Sequence, residues 1–373
     1  MTIEHSKISA SQFMFSIACF LHSSSLLTSF FVPITKQDSW IAHTIAMILC
    51  IPLMILYAQL AKSYPGLNLI QINEAVFGKV LGKIISLFYV WFFFTLVSLN
   101  MRDLGNFVSK TIMIKTPMPI IIILFILLCV WSAYYGLEVV TRYSTVFLII
   151  SAVILLISII AITSLINPEN FLPVFDLPIK NYIQVTHISS TIPFGETVIF
   201  LMITPYVDKS PKKLLRYFVG GLLIGGILIL LVMLRDIAVL GNTIGYFSLP
   251  SFEVFRLGIL FQTISHMEIM FSILLIILLY FKISFLFYAS MLSLSQTLEL
   301  KTYRPLLLPC AAFVAVYSII NYQNILIQIK AAQETIPFLW FTLEILLPAL
   351  TLAVHYIKKS AAKKGNGKEA ALR

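Results

Sequence analysis

The sequence predicts an all-α polytopic membrane protein with about ten transmembrane helices. Of its 373 residues, 59% are hydrophobic and only 11% are charged, and the mean hydropathy is +0.96. A soluble domain is nearer ~45–50% apolar and ~25% charged, because its surface must face water. The outer surface of this chain must therefore face lipid.

Long apolar runs account for this composition. A helix needs about 20 apolar residues to cross a hydrocarbon core of roughly 30 Å, and strands or loops cannot cross because their unpaired backbone groups are too costly in lipid. Stretches such as 120–130 do not alternate between apolar and polar residues, which argues against a barrel. Ten runs fit helices, numbered here as spans 1 to 10: 11–33, 40–61, 84–107, 118–138, 143–165, 188–206, 214–240, 266–297, 305–321 and 336–357.

The gaps between the spans are too short for a second domain. We expect one transmembrane domain over residues 1–357, followed by a basic tail over 358–373. Lys and Arg concentrate on one side when the N-terminus is placed inside, so the positive-inside rule predicts that both termini are cytoplasmic. Topology and contact with anionic lipid explain the net charge of +10, and no nucleic-acid partner is expected.

Spans 1 and 6 are interrupted by polar or helix-breaking residues at mid-depth. Span 1 contains HSSS at 22–25, and span 6 contains PFGE at 193–196. Proline and glycine free backbone groups, which persist at this depth only beside protein or a water-filled cavity. If ten spans form two repeats of five, these two spans correspond, and paired breaks of this kind point to a ligand site. The alternative is that the serines bond back to the preceding turn and that Pro193 only kinks its helix.

The predicted site combines both breaks. An ionised acid at the bilayer centre is expensive, so Glu196 should face the interior, where it could bind a ligand amine, carry a proton or pair with a cation. Lys282, midway along span 8, is the candidate partner. The predicted ligand-binding residues are Ser23, Ser24, Ser25, Phe194, Gly195 and Glu196, with His22, Pro193 and Lys282 in support.

Other polar groups in the spans are interpreted as structural. Arg102, Asp103 and Asn106 lie near the outer end of span 3, where snorkelling can satisfy them without a ligand. Glu344 in span 10 precedes Pro348 by one helical turn and is expected to mend the proline kink. The four cysteines fall singly in separate runs, so neither a metal site nor a cofactor is expected.

Several segments resemble a known family. They are KISASQF at 7–13, KQDSW at 36–40, LAKSYPGLNLIQINEAVFGKVLGK at 60–83, MRDLGNF at 101–107, PFGE at 193–196 and KISFLFYASMLSLSQ at 282–296. The chain resembles the B subunits of GerA-type spore germinant receptors, within the amino acid-polyamine-organocation superfamily, and its length and character are similar to GerK-type members.

The resemblance implies a permease-like five-plus-five inverted repeat, with ligand held between broken spans 1 and 6. It also implies a receptor subunit in the inner membrane of the bacterial spore, working with an A subunit and a C subunit. This chain departs from the superfamily in span 1, where HSSS replaces a glycine-rich break. The departure leaves the local geometry, and hence the ligand, open.

Three classes of function are weighed. The favoured hypothesis is a germinant receptor subunit that binds an amino acid or sugar and triggers germination through its partner subunits. The alternative is an autonomous permease that couples transport to protons through Glu196. An enzyme is not expected, because the sequence contains no HExxH, GxSxG or phosphate-loop motif.

Overall fold

The computed structural model describes residues 7–25, 28–208, 213–258 and 266–370, with side chains described as far as residue 361 except for Ser29. Regular structure in these residues is helical, apart from one parallel bridge between Ile8 and Val207. Seven of the described helices are long and apolar enough to cross a membrane, and one bent pair of helices brings the number to eight if the pair is counted as one span. The predicted all-α polytopic membrane fold is confirmed.

The first half of the chain supplies spans 1 to 5. They are α1 (Ala10–His22), followed after its break by α2 (Val32–Thr35), then α3 (Ser39–Ser63), α5 (Lys79–Phe107), α6 (Met118–Tyr135) and α7 (Leu137–Ala161). A short helix, α4 (Leu69–Phe77), lies between spans 2 and 3 and is capped at its N-terminus by Asn68, whose side chain accepts from the Gln71 N–H. This cap satisfies backbone donors that a helix start leaves free.

The second half supplies spans 6 to 10. They are α8 (Ile179–Ser189) with the 3-10 stretch Gly195–Met202, α9 (Leu214–Leu240), α11 (Glu268–Thr297), α12 (Leu307–Ile320), and α14 (Ile336–Phe341) with α15 (Leu347–Ala370). Two further helices connect spans: α10 (Pro250–Leu257) and α13 (Ile325–Glu334). The pair α12 and α13 is bent by 95°.

The spans associate in two groups. Spans 1, 2, 6 and 7 contact one another through α1 with α9 and α3 with α8 and α9, and spans 3, 4, 8 and 9 do so through α5 with α11 and α6 with α12. Each group contains corresponding members of two five-span repeats. The predicted five-plus-five arrangement therefore accounts for which helices meet.

Small residues let α1 and α9 approach closely. A Cβ added at Gly221 would lie 2.6 Å from the Ile17 Cβ, and one added at Gly225 would lie 2.7 Å from the Leu21 Cβ. Between membrane helices the gain comes from dispersion contacts rather than from removal of water, so small residues at the interface stabilise packing. This contact holds the broken span 1 against span 7.

Span 6 begins earlier than its apolar run predicts. Its first helix starts at Ile179 rather than at residue 188, because the polar residues of the first turns are bonded to span 1 and its connection to span 2. The Asn181 side-chain amide donates to the Ile34 carbonyl at 3.2 Å, and the Tyr182 hydroxyl donates to the Asp38 carboxylate. The first turns of span 6 are therefore stabilised by tertiary hydrogen bonds, and the pattern of apolar residues did not reveal them.

Candidate functional site

The break in span 1 is stabilised by its own serines. The helix α1 ends at His22. The Ser23 hydroxyl lies 2.7 Å from the Cys19 carbonyl oxygen and 2.9 Å from the Leu278 carbonyl oxygen, and the Ser25 hydroxyl donates to the His22 carbonyl oxygen at 2.6 Å. These bonds satisfy carbonyls that a helix end leaves free at membrane depth. Ser23 also ties span 1 to span 8.

The break in span 6 comes from a change of helix type. After Ser189 the chain passes through a π turn at Ser190–Phe194 into the 3-10 stretch Gly195–Met202. Ile192 has non-helical angles (φ −116°, ψ 108°), directly before Pro193. Proline removes one backbone donor at this point. The predicted breaks in spans 1 and 6 are both confirmed.

Lys282 joins the two breaks from span 8. Its Nζ lies 2.7 Å from the Glu196 Oε2 and 2.7 Å from the Ser24 Oγ, and 4.6 Å from the centre of the Phe20 ring. The Lys282 residue is 2% exposed and the Glu196 residue 3%. Of the three roles left open for Glu196, the geometry matches pairing with a buried cation, because the ammonium neutralises the carboxylate where water is excluded.

A cavity of about 450 Å³ opens beside this cluster. It reaches from Ser24, Glu196 and Lys282 along span 3 to the segment 246–253 between spans 7 and 8. This volume is within the range of roughly 300–1,000 Å³ that small-molecule sites occupy. The cavity has both apolar walls and a few convergent polar groups, which is typical of a ligand site.

The predicted site residues fall into two sets. Ser24, Glu196 and Lys282 line the cavity. The others are buried around it and are absent from its described lining: His22, Ser23, Ser25, Pro193, Phe194 and Gly195. Phe194 packs on the His43 ring with 4.9 Å between ring centres, and Gly195 faces span 10. That these residues bind a ligand remains a prediction.

Cavity residues on span 3 are an addition to the predicted set. Asn100, Asp103 and Asn106 recur every three residues on α5, so they share one helix face, and all three line the cavity. The Gln328 side-chain amide from α13 donates to the Asp103 Oδ1 at 2.7 Å. The spacing was visible in the sequence, but it could not reveal that α13 folds over the same face.

Two polar residues that were interpreted as structural are accommodated in other ways than predicted. Arg102 does not snorkel, because it is 4% exposed and donates to the carbonyl oxygens of Ser318, Ile319 and Tyr322 at 2.6–2.9 Å, where it caps α12. Glu344 does not mend a kink. It lies in a π turn at Thr342–Leu346, and both of its carboxyl oxygens lack a hydrogen-bond partner among the described residues.

The fold and the cavity together define a class: a multi-pass membrane protein of transporter architecture, with a largely apolar cavity that holds a few polar groups where two broken spans meet. The chain superimposes on Mhp1, a nucleobase-cation-symport-1 family transporter in a closed conformation with bromovinylhydantoin bound, with a TM-score of 0.64 and 13% identity, over 91% of this chain and 76% of that one. It also superimposes on MhsT in complex with L-phenylalanine, with a TM-score of 0.62 and 12% identity, over 94% and 99% of the two chains. At such identities the likeness establishes the fold alone.

The family is established by sequence. The profile of the spore permease family, described as spore germination protein, matches residues 7–325, so the chain belongs to that family. It is 24% identical to spore germination protein KB of Bacillus subtilis (strain 168) over 99% of this chain and 100% of that protein. Spore germination protein A2 of the same organism is 28% identical over 55% of this chain and 54% of its own length. The family is therefore that of spore germination proteins, and the fold is one that solved transporters share.

Proposed function

We propose that this chain is the ligand-binding membrane subunit of a nutrient germinant receptor. The observation that carries the proposal is the cavity bounded by Ser24, Glu196 and Lys282 at the meeting point of the two breaks. Family membership supports a role in spore germination, and the cavity is large enough to hold a small molecule. Occupation of the cavity by a germinant is the event that starts germination.

The cavity chemistry favours a small polar ligand. Glu196 and Lys282 neutralise each other, and Glu253 pairs with Arg256, so the charged side chains of the lining that have no ion pair among the described residues are Asp103 and Lys110. Asp103 already accepts one hydrogen bond from Gln328, and a carboxylate has further acceptor sites for a ligand amine or hydroxyl. Asn100 and Asn106 add amide groups beside it. An amino acid or a sugar fits this set.

Family membership supports a receptor assembly. We place the chain in the inner membrane of the bacterial spore with both termini on the cytoplasmic, spore-core side, where it works with an A subunit and a C subunit. Protein KB aligns with this chain over its full length, which supports the assignment of this chain as the B subunit. The asymmetry of Lys and Arg among the loops supports the orientation.

An autonomous proton-coupled permease is the second candidate. The solved neighbours favour it, since Mhp1 is a transporter. The 2.7 Å contact between Lys282 and Glu196 disfavours the version in which Glu196 carries the proton, because protonation would leave the buried ammonium without its counter-charge. Uptake of labelled amino acids by proteoliposomes that contain this chain alone separates the two functions: a receptor subunit accumulates none.

Replacing Asp103 by Asn tests the cavity. The change keeps the size and the bond from Gln328 but removes the charge that faces the ligand. A hydrogen bond to a charged group contributes about 1.5–3 kcal/mol, which corresponds to roughly ten- to hundred-fold in affinity. We expect the concentration of amino acid or sugar for half-maximal germination to rise by that factor, at unchanged protein abundance.

The matched control is Asp176→Asn, at an exposed acid outside the cavity. It should leave the dose-response unchanged. A thermal-shift titration of the purified chain against the same compounds should show the same ranking of the variants. An unaltered dose-response and unaltered binding for Asp103→Asn would contradict the assignment of this cavity to the germinant.

A further inference from the structure

Glu344 is a buried acid that the ligand cavity does not use. Its residue is 0% exposed, and neither carboxyl oxygen has a hydrogen-bond partner among the residues that the structure describes. The backbone around it is well held, since the Tyr57 hydroxyl donates to the Glu344 carbonyl oxygen at 2.7 Å and the Tyr89 hydroxyl donates to the Leu343 carbonyl oxygen at 2.8 Å. The carboxyl is thus left without a donor among the described residues, although the backbone on which it stands is hydrogen-bonded to two tyrosines.

The carboxyl lies against the break of span 6. A Cβ added at Gly195 would overlap with the Glu344 carboxyl group, so the glycine provides the space that the acid fills. The Tyr57 hydroxyl also lies 3.3 Å from the Gly195 carbonyl oxygen. Spans 2, 6 and 10 therefore meet at this group, and a displacement of span 6 would uncover it.

Among the described residues, no unpaired cation lies next to Glu344. The titratable and charged groups that face it are Cys50 and Tyr57 from α3, Tyr89 from α5, Glu196 from span 6 and Lys282 from α11. Lys282 is already paired with Glu196. The Glu196 carboxylate in turn disfavours a second negative charge nearby. An isolated carboxylate away from water is so costly that such groups take up a proton instead.

We propose that Glu344 is a proton-binding site: it remains a neutral carboxylic acid while Gly195 covers it, and it releases its proton when span 6 moves away from span 10. In that step the carboxyl O–H bond breaks, the proton passes to water that enters from the cavity, and the carboxylate is hydrated. By linkage, the displaced arrangement of span 6 becomes more favourable as the pH rises.

Infrared spectroscopy of the purified chain tests the protonation state. At neutral pH the wild type should show the C=O stretch of a protonated carboxylic acid, and Glu344→Gln should lack it. Glu138→Gln is the matched control, because Glu138 is an exposed acid paired with Arg142 and its replacement should leave the acid band unchanged. Persistence of the wild-type acid band in Glu344→Gln, or its absence from the wild type, would overturn the proposal.

A second variant guards against misfolding. A neutral acid without partners should be replaceable by a neutral group of similar size, so Glu344→Leu should accumulate in the membrane at the wild-type level, with thermal stability equal to the wild type or higher. Loss of the protein on both Gln and Leu substitution would mean that an ionised Glu344 is required. That result would also overturn the proposal.

The physiological consequence rests on the proposed receptor function. Spores with the wild-type chain should need less germinant as the pH is raised, whereas spores with Glu344→Gln should respond independently of pH. The infrared experiment needs no germinant, so its outcome does not depend on the receptor assignment. A pH-independent wild type with a confirmed acid band would refute the coupling to span 6 while leaving the proton site intact.

Discussion

Glu196 and Glu344 are two acids buried in the same region of the membrane domain, but they are treated in opposite ways. Glu196 follows Gly195 directly and lies 2.7 Å from the Lys282 ammonium. Glu344 packs on that same glycine from span 10 and has no partner for either carboxyl oxygen in the described part of the chain. The difference lies in what the neighbouring span supplies rather than in depth or burial.

The comparison shows two ways to accommodate an acid in lipid. Pairing keeps the charge and ties spans 1, 6 and 8 together through one ammonium, since Lys282 also contacts Ser24. Neutralisation removes the charge and leaves the contact between spans 6 and 10 free of any ionic tie. A paired acid is therefore a strut, whereas an unpaired acid is a group whose proton can be lost when its cover moves.

The largest effect is expected from Lys282→Met. It keeps an unbranched side chain but leaves Glu196 buried without a counter-charge, and breaking a buried pair costs about 3–5 kcal/mol. We expect the variant to be strongly depleted from the membrane on immunoblots. Its thermal unfolding midpoint should fall in parallel.

The double variant Lys282→Met with Glu196→Gln is the informative control. Removing both charges abolishes the unpaired carboxylate, so abundance should recover well above that of the single variant. A double variant as depleted as Lys282→Met would show that the two residues act independently, and the contrast between a paired and an unpaired acid would then lose its basis.

The second effect comes from Gly195→Leu. The new side chain would overlap with the Glu344 carboxyl group, and overpacking a buried site costs about 1–3 kcal/mol. Stability should therefore drop, but by less than for Lys282→Met. Adding Glu344→Ala should restore part of the loss, measured as the unfolding midpoint of the purified protein. No rescue would mean that Gly195 is required for another reason.

The sequence predicted the paired acid but not the unpaired one. Glu196 could be matched to Lys282 because a lone cation and a lone acid inside apolar spans have few other ways to be accommodated. Glu344 precedes Pro348, and that local pattern suggested a kink. Its contact with Gly195 joins span 10 to span 6, and no local pattern records which spans become neighbours.

The same limit applies to the fold and the cavity. Composition and run length were enough to predict the spans, and PFGE and HSSS located both breaks, since each effect is local to one helix. The cavity wall needed Asn100, Asp103 and Asn106 on α5 to meet Gln328 on α13, which is a tertiary contact. The early start of span 6 was missed for the same reason, because polar bonds rather than apolar residues hold its first turns.

A third, smaller effect concerns the serine break. Ser23→Ala removes a hydroxyl that contacts the carbonyl oxygens of Cys19 and Leu278, and a hydrogen bond of this kind contributes about 1 kcal/mol. We expect a modest fall in the unfolding midpoint without loss of the protein. Ser11→Ala, at an exposed position of the same helix, should have no effect. A loss as large as that of Lys282→Met would mean that Ser23, rather than the contact of Lys282 with Ser24, is the main tie between spans 1 and 8.

The smallest effect is expected from Glu299→Gln, which transfers the comparison to the surface. Glu299 lies 2.5 Å from the Lys83 Nζ and 3.2 Å from the Lys79 Nζ, and its side chain is 55% exposed. The hydrogen bond from Lys83, with Lys79 beside it, holds the pKa of Glu299 below its ordinary value.

A lowered carboxyl pKa stabilises the folded state at pH values above the pKa of the unfolded chain. This contribution disappears as the pH falls through the pKa of the folded state. Water and salt screen such exposed pairs, so the unfolding midpoints of Glu299→Gln and wild type should agree at neutral pH and in acid alike. A marked fall in the unfolding midpoint of Glu299→Gln at neutral pH, absent in acid, would show that this exposed pair is as important as the buried pair of Lys282 and Glu196. Exclusion of water would then no longer explain the strength of the buried pair.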